Sequence, residues 1–328
     1  MLFILSAILL ASCHKSNDNN NEITATVSME ANSTNDVYYG FANGVAGSNL
    51  RTDWDIAFSV PLQTATILIN EGAGVELYCI GDTSVWKSAD TTNLQTRIPR
   101  FNNKSNWSDG AFNLFATGGF NFGWGTYNIS VHSVYGDSIY IIKLTDGSYK
   151  KLFIRNRIGS PDTYVLRWAN IDRSEQVDTS ISGVSSFDKK HFVQYSLVNK
   201  KVVEAEPDKG NWDLLFTRYI VKVPAGPGVF LNYPVTGVLI NPDEQGIKVT
   251  GVAPENANYT DTTASFTSQA DIIGWDWKIN DPTTRLYSIA PNTSYFVKLS
   301  NGVIYRIYFT NFVSSLDGNI TFKTKKVE

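Results

Sequence analysis

The chain has few of the residues on which enzymes and metal proteins depend. Its 328 residues include two cysteines, two methionines and three histidines. Two cysteines cannot build a thiolate metal site, and the histidines lack the paired spacing of a zinc centre. There is no Gly-x-Ser-x-Gly segment and no phosphate-binding Gly-x-x-x-x-Gly-Lys loop. These absences predict a protein that is not an enzyme.

Charge is also scarce and evenly distributed. Only 18% of the residues are charged, and the formal net charge is −3. No run of Lys and Arg offers a surface for phosphates, so we expect no nucleic-acid partner. After residue 13 no apolar stretch is long enough to cross a bilayer as a helix.

One short apolar run stands at the N-terminus. It ends in Leu10-Ala11-Ser12-Cys13, a small-residue cleavage site followed at once by cysteine, and an Asn-rich polar tract follows. This pattern predicts a lipoprotein signal peptide over residues 1–12, lipidation of Cys13 and a polar tether over residues 13–22. The alternative is a buried hydrophobic strand or helix. A lipid anchor implies the membrane as a partner, and an outer membrane lipoprotein located on the periplasmic or the cell-surface side. With Cys13 lipidated, Cys79 is the remaining cysteine, so no intrachain disulfide is expected.

Three blocks of sequence recur at a nearly constant distance of about 155 residues. The offsets are 156, 158 and 155 residues. Such a register predicts a duplicated module, although two long copies are too few for a solenoid. The paired blocks are Tyr39-Gly40-Phe41 with Tyr195-Ser196-Leu197, Trp54 to Phe58 with Trp212 to Phe216, and Tyr140 to Gly147 with Tyr295 to Gly302.

The dominant hydrophobic period beyond the tether is two. Val303 to Thr310 interleaves polar positions with large apolar ones, as a strand with one buried face does. Asp146-Gly147, Asn301-Gly302 and Asp317-Gly318 supply the positive φ angles of tight hairpins. The sequence therefore predicts an all-β fold of two tandem related modules with mainly antiparallel strands.

The repeat also sets the expected domain limits. The first module is predicted over residues 23–170, and the second over residues 191–328. Residues 171–190 between them are polar and rich in Ser and Asp, which favours a linker.

Asp55 and Asp213 recur at the same position in both modules. Each lies in a Trp-Asp-apolar-apolar-Phe segment, and this setting favours structural hydrogen bonding over catalysis.

As a set, the repeated blocks resemble the HmuY-like family of Bacteroidetes haem-binding lipoproteins. In the second module the resemblance lies in His191 to Leu197, in Asn211 to Tyr219 and in the block from Tyr295 to Phe322. In the first module it lies in Arg51 to Phe58 and Gly136 to Leu144. It implies an all-β, non-enzymatic lipoprotein that binds haem between two side chains, His/His or Met/Met.

The resemblance also implies where a ligand binds. His132 follows Gly123-Trp124 near the family's ligand segment and is the candidate for haem iron, whereas Asn280 occupies the matching region of the second module. A concave aromatic surface for haem, another tetrapyrrole or a different small ligand is expected from Trp124, Tyr127, Trp275, Trp277 and Tyr287. The alternative is a structural or interaction lipoprotein that binds an envelope protein and no haem, with those aromatics in the core.

Overall fold

The computed structural model of the chain describes residues 22–61, 64–281, 283–284 and 286–328. The expected signal peptide, Cys13 and all of the tether except Glu22 lie outside these residues. About 48% of the residues are in strands, arranged in several antiparallel sheets. The predicted all-β fold with mainly antiparallel strands is confirmed. None of the helices among the described residues is long and apolar enough to span a membrane.

The first half of the chain contributes twelve strands to the described structure. They are β1 (Ile23–Ser28), β2 (Asn35–Gly40), β3 (Gly44–Leu50), β4 (Ile56–Ser59), β5 (Ile67–Ile69), β6 (Glu76–Asp82), β7 (Gly125–Asn128), β8 (Ser133–Gly136), β9 (Ser138–Lys143), β10 (Tyr149–Gly159), β11 (Asp162–Asn170) and β12 (Val177–Ser182).

The second half contributes ten strands, and every helix in the described residues is a short 3-10 helix. The strands are β13 (Phe192–Ser196), β14 (Lys201–Val203), β15 (Leu214–Gly226), β16 (Val229–Ile240), β17 (Gln245–Thr250), β18 (Lys278–Asn280), β19 (Tyr287–Ile289), β20 (Thr293–Lys298), β21 (Ile304–Phe312) and β22 (Asn319–Lys326). The 3-10 helices are Ala31–Ser33, Arg51–Asp53, Glu71–Ala73, Thr83–Lys87, Leu94–Thr96, Val184–Phe187, Lys209–Asn211 and Tyr259–Asp261.

The three predicted turns connect antiparallel neighbours. Gly147 links β9 to β10, Gly302 links β20 to β21, and Gly318 links β21 to β22, with φ angles of 82°, 90° and 74°. A side chain at such angles is strained, which explains glycine at each turn. The glycine residues therefore allow these three hairpin turns, as the sequence predicts.

The sheets form two similar units. The first unit comprises β4 to β14: a four-stranded sheet in the order β14-β13-β4-β5, and a seven-stranded sheet in which β12-β11-β10-β8-β7 is joined by β9 and β6. The second unit comprises β15 to β22 with β1 to β3: the sheets β16-β15-β2-β3 and β1-β22-β21-β20-β17, and the hairpin β18-β19. Each unit buries its own main core of aliphatic and aromatic side chains.

The two repeats exchange their opening strands. β2 of the first repeat pairs with β15 of the second, placing Tyr39 opposite Leu214. In the same way, β13 of the second repeat pairs with β4 of the first, placing Tyr195 opposite Ile56. β1 also closes on the last strand, β22, while β12 pairs with β11. Each main core therefore contains side chains from both repeats.

The expected linker over residues 171–190 contains a strand. β12 pairs with β11 over six residues and has the place in the first unit that β1 has in the second. Its side chains alternate in exposure because it is an edge strand with one face toward solvent. A polar edge strand shares the composition of a linker, so the sequence pattern does not distinguish the two.

The recurring aspartates hold the exchanged strands. Asp55 is fully buried, and its Oδ2 accepts a hydrogen bond from the Leu197 backbone N at 2.7 Å. At the equivalent place, Asp213 Oδ2 accepts one from the Phe41 backbone N at 2.6 Å. Each carboxylate therefore binds the chain just after the strand that the other repeat contributes. The structural interpretation of these residues is confirmed.

Candidate functional site

Two candidate side chains meet on the β7–β8 hairpin. Tyr127 projects from β7 and His132 precedes β8, and Tyr127 Oη lies 2.7 Å from His132 Nδ1. His132 has a φ of 48°, so a left-handed residue ends the loop and turns the imidazole back toward the phenol. When Nδ1 carries the proton and donates to Tyr127 Oη, Nε2 keeps a free lone pair.

The surroundings of this pair are apolar and open to solvent. Phe120 packs against Tyr127 with ring centroids 5.7 Å apart, and its side chain is 54% exposed. Ile129 and Val131, in the loop between the strands, are also exposed. We call Phe120, Tyr127, Ile129, Val131 and His132 the hairpin face. It presents aromatic and aliphatic surface beside one imidazole.

Two of the candidate tryptophans are core residues. Trp124 is fully buried in the first unit, where its Nε1 donates to the Ala65 carbonyl oxygen at 2.9 Å. Trp277 is 1% exposed in the second unit and stacks on Phe309 with ring centroids 4.1 Å apart. Both immediately precede a hairpin, β7–β8 or β18–β19, so they are equivalent positions. Sequence pattern did not separate such core aromatics from surface ones.

The last two aromatic candidates lie in the second unit. Trp275 is 38% exposed, while Tyr287 in β19 is half-buried with its edge toward Phe312 at 5.1 Å. Burial raises the pKa of Tyr287. The expected concave surface of Trp124, Tyr127, Trp275, Trp277 and Tyr287 is therefore not what the structure shows, because two of the five are enclosed in separate cores.

The other His and Met side chains among the described residues are buried. Met29 is fully buried in the second unit's core. His191 is 9% exposed, and its Nε2 lies 3.1 Å from Asn241 Oδ1. Burial lowers the pKa of His191 despite the nearby Asp243. Within the described residues, no group of three or more His, Cys, Asp and Glu side chains is arranged to hold a metal ion.

A small cavity of about 90 Å³ with mainly apolar walls lies between the units. Trp54 and Trp107 line it, together with Glu71, Arg218 and Tyr219. Burial raises the pKa of Glu71, although Lys104 at 3.0 Å counteracts this. Arg218 Nε and Tyr219 Oη are buried without a hydrogen-bond partner among the described residues. A cavity of about 90 Å³ is well below the roughly 300–1,000 Å³ that is usual for small-molecule sites.

A larger concavity was missed by the sequence reasoning. It has a volume of about 730 Å³ and combines two loops of the first unit with the β15–β16 hairpin of the second. We call it the basic groove, because four cationic side chains line it. Its main lining residues are Arg97, Ile98, Arg100, Phe101, Lys104, Leu114, Phe115, Val221 and Lys222. The segment Arg97-Ile98-Pro99-Arg100-Phe101 carried the available signal, which is two arginines interleaved with apolar residues.

Comparison with known proteins provides a single relevant likeness. No family model matches the chain, and no curated protein matches it. A crystal structure described as an HmuY-like haem-binding protein from Bacteroides vulgatus matches 51% of this chain and 93% of its own, at 14% identity. The TM-score is 0.18, so this likeness by itself decides neither fold nor function.

Proposed function

We propose that the protein is an exported, non-enzymatic lipoprotein that binds a small ligand at the hairpin face, with haem as the candidate ligand. The contact between Tyr127 and His132 is the observation that carries the proposal. Metal-binding histidines usually donate their second ring N–H to a fixed acceptor, which sets the tautomer and the ring orientation. Tyr127 is placed to act as that acceptor.

The remaining residues of the hairpin face suit a flat, largely apolar ring. Exposed Phe120, Ile129 and Val131 would lose water contact beneath a porphyrin, which is favourable in proportion to the area covered. Nε2 of His132 would supply one axial ligand when haem binds. Because Met29 and His191 are buried elsewhere, we expect a five-coordinate complex, or one completed by water.

Haemin titration followed by absorbance tests this proposal. Wild type should give a saturable Soret shift, and His132→Ala should weaken it by about tenfold or more, which is at least about 1.4 kcal/mol of binding free energy. Tyr127→Phe should leave the His132 imidazole in place but alter the haemin absorbance spectrum, because the acceptor of its Nδ1 proton is lost. Tyr135→Phe is the matched control, since Tyr135 is exposed on the same hairpin. A Soret shift and haemin affinity in His132→Ala that match wild type would exclude the hairpin face.

The interaction-lipoprotein alternative is favoured by a different feature. The end of the β15–β16 hairpin exposes Val229, Phe230, Leu231 and Tyr233, each more than half exposed. Such a cluster is typical of surfaces that contact another protein or a membrane. A photo-cross-linking residue at Phe230 should then capture a defined envelope protein, whereas one at Ile129 should not. The reverse result would favour the hairpin face.

Lipid anchoring and outer membrane location belong to the same proposal. The support is the Leu10-Ala11-Ser12-Cys13 segment together with the resemblance to HmuY-like lipoproteins. Cys13→Ala should leave the protein soluble or unprocessed. Membrane fractionation with lipid labelling retained in Cys13→Ala would contradict the anchor.

A further inference from the structure

The basic groove has an unbalanced charge. Arg97, Arg100, Lys104 and Lys222 line it, and no carboxylate does. Lys104 is neutralised by Glu71, whose Oε1 lies 3.0 Å from its Nζ. The other three cations form no ion pair with the residues that the structure describes. The protein as a whole is slightly acidic, with a net charge of −3, so this local excess of positive charge is a specific feature.

Arg100 has a fixed backbone and one guanidinium donor without an acceptor. Its backbone N donates to the Leu77 carbonyl oxygen at 2.7 Å, and its guanidinium carbon lies 4.6 Å from the Phe115 ring centroid. Nη1 is buried and has no hydrogen-bond acceptor among the described residues. A buried donor without an acceptor is unfavourable. Arg100 lines the groove, so reorientation of its guanidinium would let this donor reach an anionic oxygen there.

Arg97 presents a second guanidinium to the same groove. Its Nη1 donates to the Cys79 carbonyl oxygen at 3.2 Å, which orients the side chain and leaves other N–H groups for a ligand. Planar guanidinium groups bind carboxylates in a bidentate manner, so two of them favour a carboxylate over a neutral polar group.

The walls between these cations are apolar and exposed. Ile98 is 87% exposed, Phe115 65% and Leu114 39%. Phe101 and Val221 continue this surface and are half-buried. Covering such side chains is worth about 25 cal/mol for each Å² removed from water. The groove therefore combines exposed apolar walls with cationic side chains.

We propose that the basic groove binds an amphipathic carboxylate, with the carboxylate at Arg97 and Arg100 and an acyl chain along Ile98, Phe101 and Phe115. The volume of about 730 Å³ lies within the range of about 300–1,000 Å³ that is usual for small-molecule sites. This site is separate from the proposed haem function, because it uses neither Tyr127 nor His132.

Fluorescence titration with 11-(dansylamino)undecanoic acid tests the proposal, with its methyl ester as the uncharged control. The acid should bind wild type with saturation and about tenfold more tightly than the ester, equivalent to about 1.4 kcal/mol. Arg97→Gln and Arg100→Gln should each weaken the acid and leave the ester unchanged. Arg155→Gln should bind like wild type, since Arg155 is exposed and pairs with Asp178 away from the groove.

Two variants keep the test decisive. Arg97 is exposed, so Arg97→Gln remains informative if Arg100→Gln fails to fold. His132→Ala should bind the acid normally even if it loses haemin binding. Equal binding of acid and ester, no saturable binding of either, or unchanged affinity in folded Arg97→Gln and Arg100→Gln would each overturn the proposal.

Discussion

The equivalent carboxylates Asp55 and Asp213 should differ sharply in what they contribute to stability. Asp55 Oδ2 accepts from Leu197 N at 2.7 Å, and its Oδ1 accepts from Thr145 N and Thr145 Oγ1, both at 3.0 Å. Among the described residues, the Asp213 carboxylate accepts one hydrogen bond, from Phe41 N. The same sequence position therefore carries a filled network in the first unit and a sparse one in the second.

The Asp55→Asn substitution tests the filled network. Hydrogen bonds to a charged group contribute about 1.5–3 kcal/mol each. An asparagine keeps one acceptor oxygen but turns an NH₂ group toward donors on the other side, so at least one buried backbone N–H loses its partner. We expect a loss of about 2–5 kcal/mol in the free energy of unfolding.

The Asp213→Asn substitution is the matched comparison. Its amide oxygen can still accept from Phe41 N, and the change removes a carboxylate whose pKa is raised by burial. A raised carboxyl pKa means that the folded state disfavours the charge, so neutralising it should cost only about 0–1 kcal/mol. At neutral pH, where the wild-type carboxylate is charged, the substitution can even increase the free energy of unfolding.

Urea unfolding monitored by tryptophan fluorescence compares the two variants directly. Asp55→Asn should move the midpoint to clearly lower urea, and Asp213→Asn should leave it near wild type. Equal midpoints for the two variants would refute the reasoning, since geometry and burial would then not govern the contribution of the carboxylate. A wild-type midpoint for Asp55→Asn would refute it as well.

Three other substitutions probe the core and the pH response. Trp212 is 3% exposed and Trp54 half-buried, so Trp212→Ala should cost about 3–5 kcal/mol and Trp54→Ala clearly less; equal thermal shifts would contradict this. Burial and the nearby Asp213 and Asp243 raise the pKa of Glu244 to about 8, against 4.5 for the free side chain. The stability from its protonated form is therefore fully present below pH about 4.5 and lost as pH rises through about 8. Glu244→Gln should match wild type at the acid end and melt at a higher temperature at the alkaline end, and a difference that does not change with pH would exclude this cause.

The all-β class and the tight turns could be predicted because they depend on local chemistry. Glycine at the Asp146-Gly147 turn and alternation along Val303 to Thr310 act over a few residues. The exchange of strands could not be predicted in this way. Tyr39-Gly40-Phe41 and Tyr195-Ser196-Leu197 are equivalent, so each fits its own repeat and the other repeat equally well. Local patterns cannot choose between two equivalent partners.

The candidate site shows the same limit. Tyr127 and His132 are five residues apart, and only the left-handed conformation at His132 reveals that they meet. Trp124 and Trp277 follow glycine or aspartate in segments that look alike whether they are exposed or buried. The basic groove combines residues near 79, 97–104, 114–115 and 220–232. No local sequence window contains those distant segments together.

The pairing of β1 with β22 has a consequence for the order of folding. Ile23 lies opposite Thr324, so the first described strand finds its partner only when almost the whole chain is present. The entropy of closing so long a loop is modest at equilibrium, since each doubling of loop length adds only about 0.6 kcal/mol. The rate is affected more, because contacts distant in sequence slow folding. A chain emerging N-terminus first should therefore complete the β4–β14 unit early, while β2 waits for β15 and β1 waits for the last strand, β22.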